Sequence, residues 1–174
     1  EKIFELKADE CKSPVLFASD QLKVTRVHNG SYSIDHNDLH YHLELDLMGS
    51  YQTRNLAGVL ASIEVLRKTG YSISDQQIKI GLKEVMSRTG LRGRWQKTGE
   101  RPLIICDTGH NEGGMCEIVK QINEMKYDHL HMVLGMVKDK DISKVLSLLP
   151  VAATYYFCQA SIPRAMPAEE LSVK

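Results

Sequence analysis

Side chains that can do chemistry gather at the end of one apolar run. Leu103–Cys106 is followed by Asp107, His110 and Asn111, among glycines that lack the G-x-G-x-x-G spacing of dinucleotide sites. Open α/β sheets bind ligands just beyond the carboxyl ends of their strands, and a helix beginning near Glu112 would direct its N-terminus there. At this edge a carboxylate can bind a ribose hydroxyl, and a neutral imidazole can position a carboxylate. The alternative is an Asx-type turn that only holds the loop, with His110 capping the helix.

Two further polar segments have the chemistry to contact a nucleotide. Arg94 precedes the only tryptophan, and its guanidinium suits bidentate contacts to phosphate. The alternative is an ordinary linker arginine, with Trp95 packed across a domain interface. Asn55 falls in the first turn of a predicted helix, where backbone N–H groups favour phosphate or a polar ligand. Plain capping of that helix by Ser50 or Thr53 is the alternative.

A histidine-rich strand and a charged segment offer two more candidates. Strand alternation places His40 and His42 on one face beside Glu44, with His36 nearby in sequence. That face is the solvated side of a predicted meander, so we predict no metal site there. Lys140 lies in a Lys-Asp-Lys-Asp segment, which could be only a solvated helix start. Because the segment also follows the carboxyl end of a strand, the alternative is that Lys140 faces the same cleft as Asp107.

The first half of the chain predicts a small antiparallel meander followed by helices. Apolar and polar residues alternate from His40 to Leu47, and Asn29-Gly30 supplies turn chemistry. Val15–Ala18 is a short apolar run that predicts a first strand, and Leu22–Val27 is a plausible second strand. A helix over residues 52–68 and a second helix opened by a Ser74–Gln77 capping box follow. Their predicted buried residues are Leu56, Val59, Leu60, Ile63 and Leu66, then Ile78, Leu82, Val85 and Met86.

From Pro102 onwards strands and helices alternate, which predicts a parallel sheet with right-handed crossovers. The strands are Leu103–Cys106, Leu130–Leu134 and Ala153–Phe157. We therefore place a domain boundary near residues 90–98. The two helices between these strands are predicted to bury Met115, Ile118, Val119, Ile122 and Met125, then Ile142, Val145, Leu146 and Leu149.

Composition excludes several classes of protein. Lysine plus arginine equals aspartate plus glutamate, 22 against 22, and no basic run suggests a nucleic-acid partner. No apolar stretch approaches the length of a membrane span, and no signal peptide opens the chain. The four cysteines lack C-x-x-C spacing, so we expect reduced thiols in a cytoplasmic monomer.

Five segments, taken in order, resemble the carboxyl-terminal part of the folylpolyglutamate synthase family of the Mur ligase superfamily, whose bacterial members are often bifunctional with dihydrofolate synthase. They span residues 49–165 with matching order and spacing. Thr108-Gly109 replaces the Gly-Ala that is more usual between the Asp and the His, and both pairs are small. The segments are Gly49-x-Tyr-Gln52-x-x-Asn55, Gly93-Arg94-Trp-Gln96, Asp107-x-x-His110-Asn111, Gly135-x-x-x-Asp139-Lys140-Asp141 and Pro163-Arg164-Ala165.

The resemblance implies an ATP-dependent acid–amino-acid ligase that adds L-glutamate to folate, or to dihydropteroate in a bifunctional enzyme, through an acyl phosphate. It implies ATP and Mg²⁺, with most of the metal ligands upstream. Asn55, Arg94 and Asp107 would bind ATP, Arg94 near the phosphates and Asp107 on the ribose. Arg94 and His110 would be catalytic. The substrate-binding residues would be His110, Asn111 and Lys140.

The resemblance also implies an α/β architecture in two parts. Residues 1–92 would end a P-loop-type ATPase domain, as a small β meander plus helices. Residues 98–174 would form a truncated, Rossmann-like parallel Mur ligase C-terminal (glutamate ligase) domain. The chain opens without methionine and stops in a predicted helix, so we expect a fragment. It contains no G-x-x-x-x-G-K-[ST] phosphate loop, so the fragment is expected to fold but not to catalyse.

Two other interpretations stay open. One is a cell-wall Mur synthetase relative, with the same fold and a UDP-muramoyl substrate. The other is a non-catalytic nucleotide-binding domain that shares only the strand-end aspartate, and it predicts that the complete gene lacks an upstream phosphate loop. The His110-Asn111 pair and the Gly-Arg-Trp-Gln segment favour the folate branch.

Overall fold

The computed structural model describes residues 1–36, 39–138 and 142–174, with the backbone alone at Leu39. The chain divides into two compact units, Glu1–Arg92 and Gly93–Lys174. The first contains α1 (Lys2–Glu10), α2 (Ala18–Gln21), β1 (Lys23–His28), β2 (Ser31–His36), β3 (Leu39–Glu44), α3 (Gln52–Lys68), α4 (Asp75–Lys83) and α5 (Val85–Thr89). The second contains β4 (Gln96–Glu100), β5 (Leu103–Cys106), α6 (Glu112–Asn123), β6 (His131–Leu134), α7 (Ser143–Ser147), β7 (Thr154–Phe157) and α8 (Ala168–Ser172). No helix in these ranges is long and apolar enough to cross a membrane.

The predicted meander is confirmed. Strands β1, β2 and β3 pair antiparallel in that order, and Tyr32 and Ile34 of the central strand are fully buried. Burial raises the pKa of Tyr32, which the nearby Arg26 charge partly offsets. Gly30 forms the first turn at φ +76°, a conformation that costs glycine little. The apolar run at residues 15–18 is not a strand, because its last residue, Ala18, begins α2.

Strand β3 is shorter than the alternating pattern predicts. Leu45 and Leu47 are buried, but the strand ends at Glu44. The next residue's N–H still reaches Gly30 O at 2.8 Å, whereas the Asp46 N–H turns away to Leu82 O at 3.3 Å. The chain leaves the sheet at this point because its backbone bonds to the α4 segment instead.

Helix α3 has the predicted bounds but a different buried face. Its buried residues are Gln52, Leu56, Ala57, Leu60 and Ala61. Val59 and Leu66, predicted to be buried, are 43% and 40% exposed. The prediction counted large apolar side chains only, whereas the helix packs its two alanines into the core as well.

The second predicted helix is divided in two at Glu84. In an unbroken helix the Met86 N–H would bond to the Leu82 carbonyl. Here Met86 N donates to Asp46 Oδ2 at 2.8 Å, and Leu82 O accepts from Asp46 N. Asp46 therefore bonds to both the donor and the acceptor of what would be one helical hydrogen bond. The loss of that bond separates α4 from α5. The predicted capping box at the start of α4 is confirmed, with Ser74 Oγ accepting from Gln77 N at 3.2 Å.

The second unit confirms the α/β class and differs from the prediction in its sheets. Strands β6 and β7 are parallel, as predicted for a βαβ unit. Strand β5 instead pairs antiparallel with β4, whose polar sequence Gln-Lys-Thr-Gly-Glu gives no apolar alternation to detect. The expectation of a buried β5 is wrong, because Leu103 and Ile104 are 50% and 48% exposed and Cys106 is exposed too.

The core of the second unit lies between its sheets and helices. Helix α6 buries Met115, Ile118 and Ile122, as predicted, and also Gln121. Val119 and Met125 are only partly buried. The short α7 buries Val145, and all four cysteines of the chain are free thiols.

We expect Leu56→Ala to lower the free energy of unfolding by about 3 kcal/mol, because the leucine side chain is 2% exposed and its removal leaves a cavity. Val59→Ala, on the exposed side of the same helix, is the matched control and should cost less than about 1 kcal/mol. Urea denaturation followed by circular dichroism measures both. A greater loss at Val59 than at Leu56 would contradict the observed face of α3.

Candidate functional site

Asp107 fastens the loop after β5 to the turn before β4. Its Oδ2 accepts a hydrogen bond from Trp95 N at 2.7 Å, and its Oδ1 accepts one from Gly109 N at 2.8 Å. The Asx-type turn considered from the sequence is therefore formed. These two bonds fix the orientation of the carboxylate.

The Gly93–Gln96 segment is a tight turn. Gly93 has φ +68° and Trp95 has φ +51°, and Gly93 N donates to Gln96 Oε1 at 3.0 Å. The Trp95 side chain, 8% exposed, belongs to the core of the second unit, where Met115 is also buried. Arg94 between these residues is held in place by a backbone anchored on both sides.

The Arg94 guanidinium is hydrogen-bonded to its surroundings through one of its nitrogens. Nη1 donates to Gly93 O at 3.2 Å and to Thr108 Oγ1. Within the described ranges both hydrogen bonds of the guanidinium come from Nη1, which leaves Nε and Nη2 for a ligand. Two adjacent guanidinium nitrogens are the donor pair that binds phosphate oxygens in a bidentate manner.

The first turn of α6 begins beside these groups. Asn111 Oδ1 accepts from Gly114 N at 2.7 Å, so Asn111 caps the helix and His110 does not. His110 Nδ1 lies 3.1 Å from Thr108 O, on an exposed ring. A carbonyl oxygen only accepts, so Nδ1 carries the hydrogen of this bond and Nε2 of the neutral ring is an acceptor.

A cavity of about 420 Å³ lies at the carboxyl ends of β6 and β7. The segments that follow these strands pair with each other, since Lys138 N donates to Arg164 O and Met166 N to Met136 O, both at 2.9 Å. His110 reaches the cavity from the β5–α6 loop. The other lining residues are Gly135, Met136, Val137, Ile142, Cys158, Gln159, Ala160, Ile162, Arg164 and Ala165. Three of the predicted segments thus border one cavity. They are Asp107–Asn111, the segment that begins at Gly135, and Pro163–Ala165.

Comparison with known proteins agrees with this geometry. The family described as Mur ligase, glutamate ligase domain, matches residues 93–174. Residues 93–174 belong to that family. A probable bifunctional folylpolyglutamate synthase/dihydropteroate synthase of Haloferax volcanii is 32% identical over 130 residues, which is 75% of this chain and 15% of that protein. The chain therefore spans a small part of that relative's length.

Solved structures resemble the whole chain rather than the Mur ligase domain alone. A Mycobacterium tuberculosis folylpolyglutamate synthase complexed with ADP and AMPPCP superposes with a TM-score of 0.82 at 22% identity, over 99% of this chain and 39% of that one. Escherichia coli FolC in complex with ADP gives a TM-score of 0.74 at 23% identity, over 94% and 38%. At these identities the likeness establishes the fold, and the resemblance found from the motifs is confirmed.

Asn55 lies in the other unit, outside the Mur ligase domain. It is exposed in the first turn of α3, and its Nδ2 donates to the Oε1 of buried Gln52 at 2.9 Å. Neither proposed capping residue closes this helix, because its N-cap is Tyr51 without a side-chain cap and Thr53 Oγ1 donates to the Ser50 carbonyl at 3.1 Å. Lys140, the remaining predicted site residue, lies outside the described residues.

His40 of β3 contacts side chains of the neighbouring strand β2 and the ring of His42. His40 Nδ1 contacts Asp35 Oδ1, its Nε2 lies 3.3 Å from Ser33 Oγ, and its ring meets that of His42 edge-on. In the ranges the structure describes, no three His, Cys, Asp or Glu side chains form a group that could hold a metal ion.

Sequence reasoning missed two sets of residues at this edge. Cys158 and Gln159 line the cavity and come directly after β7, so the rule that singled out Asp107 also applied to them. Thr108 was treated only as a small residue between Asp107 and His110. Its side-chain bond to Arg94 has no signal in the sequence, because the two positions are far apart along the chain.

Proposed function

We propose that this chain is part of an ATP-dependent ligase that adds L-glutamate to folate through an acyl-phosphate intermediate, with dihydropteroate as a second substrate in a bifunctional enzyme. One observation carries the proposal. Arg94, Asp107 and His110 are each held by hydrogen bonds within the Gly93–Gln96 turn and the loop after β5, and His110 also lines the adjacent cavity. The likeness to folylpolyglutamate synthases supplies the substrate class.

The chemistry proceeds in two transfers. The folate carboxylate attacks the γ-phosphate of ATP, which releases ADP and gives the acyl phosphate. The glutamate amino group then attacks the acyl carbon, a proton leaves the nitrogen, and phosphate departs from the tetrahedral intermediate. Negative charge builds on phosphoryl oxygens in both transfers, so fixed cationic donors accelerate them more than a protein nucleophile would.

Each site residue has a role that fits its contacts. The Nε and Nη2 of Arg94 bind the transferred phosphate, and Asp107, held at the strand edge by its bond to Trp95 N, binds the ribose. His110, with an acceptor at Nε2, faces the cavity that takes the glutamate, where Arg164 provides a cation. Asn55 is proposed as a nucleotide contact on the strength of its motif alone.

Two predicted substrate contacts need separate treatment. Asn111 uses its carbonyl oxygen to cap α6, so it acts on the substrate through its amide group and the helix N-terminus. Lys140 stays a predicted glutamate contact, on the strength of the motif alone.

The Mg²⁺ that such chemistry uses is not assigned to residues of this chain. The described ranges contain no cluster of metal-binding side chains, so no step above depends on a metal ligand from them. We propose that residues 1–92 are the carboxyl-terminal part of the ATPase domain and that residues 98–174 are the glutamate ligase domain. Because no phosphate loop occurs in the 174 residues, they should not hydrolyse ATP alone.

The test is to incubate the full-length protein with ATP, Mg²⁺, L-glutamate and either tetrahydrofolate or dihydropteroate, and to weigh the products by mass spectrometry. Glutamyl addition is expected, and the substrate that gains it distinguishes a monofunctional from a bifunctional enzyme. ATP binding without glutamyl addition to either substrate would reject the proposal. ATP hydrolysis by the 174-residue chain would reject the separate claim that this chain is inactive by itself. A UDP-muramoyl substrate in the same assay tests the cell-wall ligase interpretation.

A further inference from the structure

Thr108 joins the loop after β5 to the Arg94 turn at three points. Its backbone N–H donates to Gly93 O at 3.0 Å, and its hydroxyl donates to the same oxygen at 3.1 Å. Its Oγ1 also accepts a hydrogen bond from Arg94 Nη1. Among the described side chains Thr108 alone bonds to the Arg94 guanidinium, and the other group that Nη1 contacts is the backbone Gly93 O at 3.2 Å.

The polarity of this contact is fixed by the chemistry of the two groups. A hydroxyl has one hydrogen to donate, and the Thr108 hydroxyl gives it to Gly93 O. Only its lone pairs then face Arg94, whose guanidinium can only donate. The Thr108 hydroxyl therefore holds Nη1, whereas Nε and Nη2 make no hydrogen bond within the described residues. A guanidinium oriented before the ligand arrives loses less side-chain entropy when it binds.

The fit between the two segments also depends on shape. A Cβ at Gly93 would lie 2.5 Å from Thr108 Cγ2, so the absence of a side chain at Gly93 makes room for the threonine methyl group. We propose that Thr108 is a positioning residue, which holds the Arg94 guanidinium in the orientation that binds the transferred phosphate. This inference rests on the proposed function of Arg94.

The test uses the full-length ligase and removes the hydroxyl without changing the shape. Thr108→Val should lower kcat about tenfold, since it deletes one hydrogen bond to a charged group. Thr108→Ser, which keeps the hydroxyl, should stay within about threefold of the wild-type kcat. The matched control is Thr98→Val in β4, where an exposed hydroxyl makes long contacts to Ile104 O at 3.5 Å and to Cys106 Sγ at 3.7 Å, and it should keep kcat within about twofold.

A double-mutant cycle separates this inference from the function on which it rests. In an Arg94→Ala background, Thr108→Val should cost nothing further, because its effect passes through the arginine. An equal loss in both backgrounds, or failure of Thr108→Ser to retain activity, would overturn the positioning role. An unchanged kcat in Arg94→Ala alone would instead overturn the proposed function. Circular dichroism verifies folding, and Thr108→Ala replaces Thr108→Val in the cycle if the valine variant does not fold.

Discussion

Arg94→Ala in the full-length protein is expected to lower kcat about a hundredfold or more, while folate affinity stays within about twofold. The reason is that two guanidinium nitrogens are free of intramolecular bonds in the described ranges, and we propose that they bind the transferred phosphate. An interaction that strengthens as charge builds lowers the barrier rather than the substrate affinity. Steady-state kinetics for kcat and direct folate titration measure the two effects.

The control for this substitution is Arg101→Ala, an exposed arginine in the turn between β4 and β5 of the same unit. It removes the same charge without touching the Gly93–Gln96 turn, and it should leave kcat within about twofold. Wild-type turnover in Arg94→Ala would exclude the phosphate role. A loss of folate affinity as large as the loss of kcat would show that Arg94 acts on the ground state instead.

Local patterns in the sequence were sufficient to predict much of the fold. The bounds of α3 and the Ser74 capping box depend on neighbouring residues, and both are confirmed. The division of α4 from α5 was not predictable in this way, because it depends on Asp46, which is distant in sequence and takes both partners of one helical bond. Strand β4 was missed for a similar reason, since its residues are polar and its pairing partner is β5.

At the site too, features set by local sequence were predictable, whereas features that depend on contacts between distant residues were not. The strand-edge rule predicted that the loop at Asp107 and the segment after β6 face one cleft, and in the structure both segments border a cavity together with the segment after β7. The rule says nothing about individual hydrogen bonds. The sequence alone offered two roles for Asp107, holding the loop or binding a ligand, and the structure shows that holding the loop occupies one bond on each oxygen.

Because Asp107 holds the loop, the ribose hypothesis needs a test that separates binding from loop structure. Asp107→Ala is expected to raise the KM for ATP about tenfold or more, from the loss of charge-assisted hydrogen bonds. Part of the rise in KM comes from the loop, because the substitution leaves the Trp95 and Gly109 N–H groups without their carboxylate acceptor. A purely structural role of Asp107 would produce this part as well. Asp128→Ala, at an exposed position of the same unit, is the control and should leave the KM unchanged within about twofold.

ATP lacking a ribose hydroxyl separates the two contributions. If Asp107 accepts a hydrogen bond from the ribose, the wild-type enzyme should bind 2′-deoxy- or 3′-deoxy-ATP about tenfold more weakly than ATP, because the carboxylate acceptor loses its donor. The Asp107→Ala variant should bind ATP and that deoxy analogue equally, since the acceptor is already gone. If the variant still discriminates as the wild type does, Asp107 acts only on the loop, and the ribose contact must come from another residue. Isothermal titration with the three nucleotides distinguishes these outcomes without requiring turnover.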